Sequence, residues 1–301
     1  MKKPPFLKPK DKIGIVCPAG YMPLENIQTA LCVLQAWGFE VVVGSTVGAQ
    51  NNYFAGSDQQ RIDDLQLMMD DTSVKAILCA RGGYGTGRII EKLDFTTLVK
   101  HPKWIIGFSD ITVLHCHLFA KYKMPSMHAP MAAAFNNNEY TNEYVQALHK
   151  ALHGDNIRIS CPPHPFNREG SAKGTLVGGN LSLLTHLIGT SSDINLKNKI
   201  LFIEDTGEYL YNVDRMLYQL KRNGKFDKLN GLIIGGFTHL KDTEIPFGQT
   251  IEELIRDVVE GYDFPVCFNF PISHEKENHT VRIGLKYRLK VTPDKTILHE
   301  L

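Results

Sequence analysis

The chain has 301 residues, 43% of them hydrophobic, with 33 Lys and Arg against 32 Asp and Glu. That apolar content excludes a disordered chain, and the length fits two α/β domains. A formal net charge of +1 supplies no global field for nucleic acid or an anionic membrane, so a small molecule is the expected partner.

Strand and helix signals alternate from the start. Lys12–Gly20 reads as a strand running into a turn, Leu24–Trp37 as a helix stopped by Gly38, and Glu40–Gly44 as the next strand. Asp58–Met69 has helical spacing, Val74–Ala80 is a strand, Arg88–Leu93 opens a helix, and Trp104–Gly107 is a central strand followed by a helix from Asp110. This rhythm predicts an α/β fold with an open, mainly parallel sheet. After a helical stretch over Glu139–Gly154, the Pro-, Gly- and polar-rich residues 156–172 read as a linker, which gives an N-terminal domain over 1–155 and a C-terminal domain over 173–301. The second half restarts with Gly174–Gly179 as a strand and Asn180–Gly189 as a helix. The strand Lys199–Asp205, the helix Tyr211–Gly224 and the strand Leu229–Phe237 follow. A helix over Thr250–Val259, a strand over Phe264–Pro271 and a closing hairpin, Val281–Val291 with Lys295–Glu300, complete a smaller β/α domain.

The basic N-terminus lacks the apolar stretch of a signal peptide, and no run is long enough to span a bilayer, so a cytoplasmic protein is expected. Six scattered cysteines form no C-x-x-C pair and read as buried thiols. No metal site and no cofactor are expected; His274 and His279 lack both helical i, i+4 spacing and a third ligand.

In open α/β sheets the working crevice lies beyond the carboxyl ends of the strands, which directs attention to four places. The first is the glycine run Arg81-Gly82-Gly83-Tyr84-Gly85. It misses the P-loop spelling, because Gly87 is followed by Arg88 and Ile89 rather than Lys and a hydroxyl, so it is either a structural turn or a loop lending backbone N–H groups to a ligand. The second is Ser109, between an apolar strand and a helix. Such a serine either caps the helix or projects above the sheet as a nucleophile. The third is the carboxylate group Glu204, Asp205 and Glu208, any of which could cap a helix, pair with Arg215 or orient an imidazole. The fourth is the loop after Pro271, where His274 and its neighbour His279 both qualify as a base.

Taken in order, Ile15–Gly20, Arg81–Gly85, Gly107–His115, Gly178–Leu184, Leu201–Leu217, Gly231–Phe237 and Phe270–Asn278 resemble the L,D-carboxypeptidase family of serine peptidases over nearly the whole chain. The resemblance implies a triad of Ser109 as nucleophile, His274 as general base and then acid, and Glu204 as the orienting carboxylate. It further implies a homodimer and an active site between an N-terminal α/β sandwich and a C-terminal β/α domain. The implied activity is release of terminal D-alanine from a murein tetrapeptide in peptidoglycan recycling. In that mechanism the backbone N–H groups of Asp110 and Gly83 would hold the oxyanion, with Arg81, Gly82 and Tyr84 touching substrate and Arg81 or Arg88 meeting its free carboxylate. Two departures stand out. Ser273 precedes the histidine where the family commonly has Gly, and Gly107-Phe108-Ser109 lacks the second glycine of G-x-S-x-G, which argues against an α/β-hydrolase fold. The same family includes hydrolases resembling the microcin C immunity protein, which act on acyl nucleotides, and Tyr84, Tyr209 and Tyr211 would suit an adenine platform. A third reading is a two-domain small-ligand binding protein without catalysis.

Overall fold

The structure, a computed structural model, describes residues 3–301 and separates into two compact units. The first contains the chain up to Asp155 together with His279–Arg282, and the second contains Asn156–Asn278 and Ile283–Leu301.

In the first unit, strands β1 (Lys12–Val16), β2 (Glu40–Val43), β3 (Val74–Cys79), β4 (Trp104–Gly107) and β5 (Ser126–His128) lie in the order β5-β4-β3-β1-β2. All pairings among these five are parallel. The chain returns late to add Val281–Ile283 outside β5. Parallel strands need crossovers, and helices Gln28–Ala36, Asp58–Asp70 and Thr112–Tyr122 supply them. Because β1 lies between β2 and β3, the chain leaves β1 in one direction and returns on its other side. That is a topological switch point, the place where open α/β sheets bind ligands beyond the carboxyl ends of their strands. Hydrogen bonds from Ala80 N to Val16 O (2.8 Å) and from Gly20 N to Gly82 O (3.0 Å) tie the two loops bordering it.

Asp64 fixes the same end of the sheet from the helix Asp58–Asp70. Its buried carboxylate accepts from Ser45 N (2.8 Å), Thr46 N (3.0 Å) and the Thr46 hydroxyl, while Thr46 Oγ1 accepts from Cys17 N at 2.8 Å.

The second unit is a mixed sheet. With Val281–Ile283 counted as β11, its strands are β6 (Arg158–Cys161), β7 (Gly170–Asn180), β8 (Lys199–Thr206), β9 (Gly231–Thr238), β10 (Val266–Cys267), β12 (Lys286–Val291) and β13 (Thr296–Glu300). They run in the order β10-β9-β8-β7-β12-β13-β6, parallel from β10 to β7 and antiparallel beyond. The sheet curls, for Cys161 on β6 and Cys267 on β10, at opposite ends of that order, bring their sulfurs to 3.9 Å. In β8, Ile200, Leu201, Phe202 and Ile203 are at most 1% exposed, and each contributes about 1.5–3 kcal/mol by leaving water. Helix Ile251–Val259 starts with a Thr250–Glu253 capping box and buries Leu254, Ile255, Val258 and Val259.

Three expectations change. Residues 156–172, read as a linker, contain β6 and the first residues of β7, and belong to the second unit. Their Pro- and Gly-rich composition hides a strand whose pairing to β13 is made by backbone. The closing hairpin is β12 with β13 alone; the chain breaks at Gly284, at φ +89°, and β11 goes to the other sheet. The strand expected over Phe264–Pro271 shrinks to Val266–Cys267. Five cysteines are buried and Cys32 is exposed, all as free thiols. Among the described residues no helix is long and apolar enough to cross a membrane.

Replacing Asp64 with Ala would leave two backbone N–H groups and a hydroxyl without their acceptor. A loss of about 2–4 kcal/mol is expected in chemical denaturation, and a loss below about 1 kcal/mol would show that water replaces the carboxylate.

Candidate active site

Strand β4 is buried along its length and ends at Gly107; Ser109 follows in a 3-10 turn, Ser109–Ile111, before the helix Thr112–Tyr122. Ser109 has φ +63°, a left-handed conformation that a side chain adopts only under constraint. It caps nothing: neither the turn nor the helix has a side-chain cap at its start. The constraint comes from packing. A Cβ on Gly82 would lie 2.9 Å from Ser109 Cβ and 3.1 Å from its Oγ, so only glycine lets the loop after β3 press against the serine. Asp110 Oδ2 accepts from Thr86 N at 2.8 Å and joins the serine turn to the short helix after the glycine run. Arg61 steadies that run from beneath by donating to Pro18 O (2.9 Å) and Gly85 O (3.1 Å). Gly83 has φ +96°, and Tyr84 is exposed.

His115, on the helix Thr112–Tyr122, also shapes the serine turn. It is fully buried, and burial pushes its imidazole down to about 4, so the ring is neutral at physiological pH. Since a carbonyl can only accept, Nε2–H donates to Gly107 O at 2.8 Å, and Nδ1 accepts from Ser126 Oγ at 2.8 Å. The histidine thus holds the residue from which the serine turn departs. Its only sequence signal is its position six residues after Ser109, on the helix that the serine precedes.

The second unit holds the acid and the imidazole. Glu204, completely buried at the end of β8, has its Oε2 2.5 Å from His274 Nδ1. With the Nδ1 proton directed to Glu204, the neutral ring keeps Nε2 as its basic nitrogen. Local backbone makes this contact. Between Ile203 and Asp205, β8 advances two residues while β9 advances three, from Ile234 to Phe237, and Gly235 and Gly236 take up the extra step. A Cβ on Gly235 would fall 2.2 Å from Ile272 O, and one on Gly236 would fall 2.4 Å from Ser273 Cβ. Without side chains there, the loop carrying His274 settles onto β9 beside Glu204. Ser273 supports the same loop, donating from Oγ to Glu277 O (3.1 Å) and accepting from Glu275 N (3.0 Å). Its φ is not positive, so the residue that departs from the family glycine sits without strain.

The other carboxylates have different tasks. Asp205 accepts from Asn180 Nδ2 (2.8 Å), Ser182 N (2.9 Å), Ser182 Oγ (2.7 Å) and Thr206 N (2.8 Å), which fastens the helix after β7 to β8. Glu208 accepts from Asn212 Nδ2 at 3.1 Å, and Arg215 bonds to Asn212. His279, the alternative base, belongs to the first unit, where its ring lies against Tyr144 and burial pushes its pKa down.

Burial alone would push the His274 imidazole down. The hydrogen bond and charge of Glu204, with Asp205 and Glu275 behind it, outweigh burial and hold it above the ordinary histidine value. Burial pushes the Glu204 carboxyl up, against the hydrogen bond and charge of His274.

The first unit carries a strained serine turn and the second, by itself, a carboxylate-backed histidine, each a feature that hydrolases use. Comparison with known proteins agrees with that class. Residues 13–129 match the LD-carboxypeptidase N-terminal domain and residues 173–289 the LD-carboxypeptidase C-terminal domain, and the chain belongs to this carboxypeptidase family. It is 35% identical to a probable murein peptide carboxypeptidase of Bacillus subtilis, over 99% of this chain and 94% of that one. The crystal structure of muramoyltetrapeptide carboxypeptidase from Oxalobacter formigenes superposes with a TM-score of 0.88 at 29% identity, covering 96% of this chain and 98% of that one. The microcin C7 self-immunity protein in complex with aspartyl sulfamoyl adenosine shares the fold, with a TM-score of 0.86 at 22% identity over 98% of each chain.

Glu204→Gln should lower the His274 pKa, because the charge that outweighs burial is removed. An NMR titration of the His274 ring checks this, and an unmoved midpoint would assign the elevation to another group.

Proposed function

We propose that the protein is a serine L,D-carboxypeptidase that releases the terminal D-alanine from a murein tetrapeptide, acting as a cytoplasmic homodimer in peptidoglycan recycling. The observation that carries this reading is the 2.5 Å contact between buried Glu204 and His274 Nδ1, in a chain of a carboxypeptidase family. Such a contact serves an imidazole that must gain a proton during reaction: the carboxylate fixes the tautomer and stabilises the imidazolium.

Ser109 Oγ attacks the carbonyl of the bond between an L-centre and the terminal D-residue as His274 Nε2 takes its proton. The tetrahedral oxyanion is held by the N–H groups of Asp110 and Gly83, at the start of the serine turn and in the glycine turn. His274 returns the proton to the departing amine, leaving an ester on Ser109, and water deprotonated by the same imidazole hydrolyses it. The strained φ of Ser109 and its freedom from a capping role support its assignment as nucleophile.

A second reading keeps the same residues and changes the substrate to an acyl nucleotide. Tyr209 and Tyr211 favour it, being both exposed, with ring centroids 5.5 Å apart and 30° between planes, a surface on which a base could stack.

Ser109→Ala should reduce kcat by about ten-thousand-fold or more with an unchanged fold by circular dichroism. Substantial residual turnover would exclude Ser109 as nucleophile. Parallel assays on a murein tetrapeptide and an aminoacyl sulfamoyl nucleotide decide between the substrates. Because His274 works as a base only when neutral and its pKa is raised, kcat/KM should increase with pH through a midpoint above the ordinary histidine value. In Glu204→Gln that limb should move to lower pH while the plateau falls; a limb that stays in place would separate the pH dependence from His274.

A further inference from the structure

We propose that Tyr53 and Arg81 form the subsite for the free α-carboxylate of the substrate's C-terminal residue, the group that distinguishes a carboxypeptidase substrate from an internal peptide bond. This deepens the proposed function and rests on it. The sequence left Arg81 and Arg88 equivalent and gave no role to Tyr53.

The two arginines differ in what they already hold. Arg88 is spent on Asp58, to which its Nε and Nη2 donate at 2.9–3.1 Å. Arg81 is exposed, donates only to a backbone carbonyl, Tyr21 O at 2.6 Å, and pairs with no carboxylate among the described residues of its unit. Its guanidinium therefore keeps donors and a full charge for an incoming anion.

Tyr53 comes from a distant loop. Tyr21 N donates to Tyr53 O at 3.0 Å, so the segment that receives the Arg81 bond also anchors the tyrosine. Its hydroxyl reaches the glycine turn: a Cβ on Gly83 would lie 2.8 Å from it and 3.5 Å from Gly20 Cα, and a Cβ on Gly20 would lie 3.6 Å from Arg81 Nε. Tyr53 is 52% exposed, and its hydroxyl makes no hydrogen bond to any described residue of its unit. A phenol and a guanidinium, both lacking an anionic partner, therefore flank one turn.

Place and reach both fit. The turn stands at the switch point between β1 and β3, where sheets of this topology bind ligands. In a substrate with one residue to release, the carboxylate carbon is three bonds from the scissile carbonyl carbon, about 3–4 Å away. The carboxylate subsite must then adjoin the nucleophile. Gly82, between Arg81 and Gly83, is the residue packed on Ser109.

The test compares kcat/KM for a peptide ending in free D-alanine with that for the same peptide ending in D-alaninamide. Tyr53→Phe and Arg81→Gln should each lower the acid-to-amide ratio by about ten-fold or more, with thermal midpoints at the wild-type value. A ratio equal to that of the wild type, whether or not absolute rates fall, overturns the subsite. Absence of turnover of either peptide by the wild-type protein would count against the proposed function. Calorimetric titration of the two peptides into the Ser109→Ala protein then tests the subsite alone. Selective weakening of the acid by either added substitution supports it, and equal affinities with and without the substitution overturn it.

Discussion

A carboxylate with no exposed surface, held against an imidazole at the end of β8, sets the terms for the second unit. An ionised carboxylate in such a place is costly unless it is paired, and the pairing requires a loop from beyond β10 to reach β8 across β9. Gly235 and Gly236 remove the obstruction, and the extra residue they add to β9 puts the step in register opposite Glu204. Asp205, on the other side of the strand, keeps the end of β8 in place by accepting four hydrogen bonds. The unit's curled sheet and its apolar strands are the rigid frame on which these short-range contacts rest.

The first unit solves a different problem, which is to hold a serine where helix capping cannot claim it. Three separate devices converge on the turn: the bare Cα of Gly82, the link from Asp110 to Thr86, and the neutral His115 on Gly107 O. Each comes from a different element, and together they maintain a left-handed φ that the residue would not choose in isolation. A neutral, buried histidine suits this work, because a single fixed proton gives a single fixed hydrogen bond.

Membership of a carboxypeptidase family, and a fold shared with a protein solved with an acyl sulfamoyl nucleoside, show how little the scaffold itself says about substrate. Discrimination has to come from side chains around the site. The proposed ones are Tyr53 and Arg81 in the first unit, suited to an anion, and the exposed Tyr209–Tyr211 pair in the second, suited to a planar ring. The two sets make different demands of a ligand, which is why matched substrates can tell them apart.

Much was legible from residue order. Alternating apolar periods gave the α/β class and most helices and strands of the first half, though not the short helix Thr96–Lys100 or β5, because local periodicity and capping act over a few residues. Placement of Ser109 after an apolar strand pointed to the turn, and spelled motifs led to the family. What composition concealed was long-range: β6 within the apparent linker, and β11 leaving the hairpin for the other sheet. By residue type alone Glu204, Asp205 and Glu208 were interchangeable, as were His274 and His279. Tertiary structure gave Glu204 to His274, Asp205 to Ser182 and Asn180, and His279 to Tyr144. The physical reason is that neighbouring residues on a strand face opposite ways, and which of them meets a partner depends on register and on how closely a distant loop can approach. A glycine in the sequence permits that approach, and only the folded chain shows what arrives there.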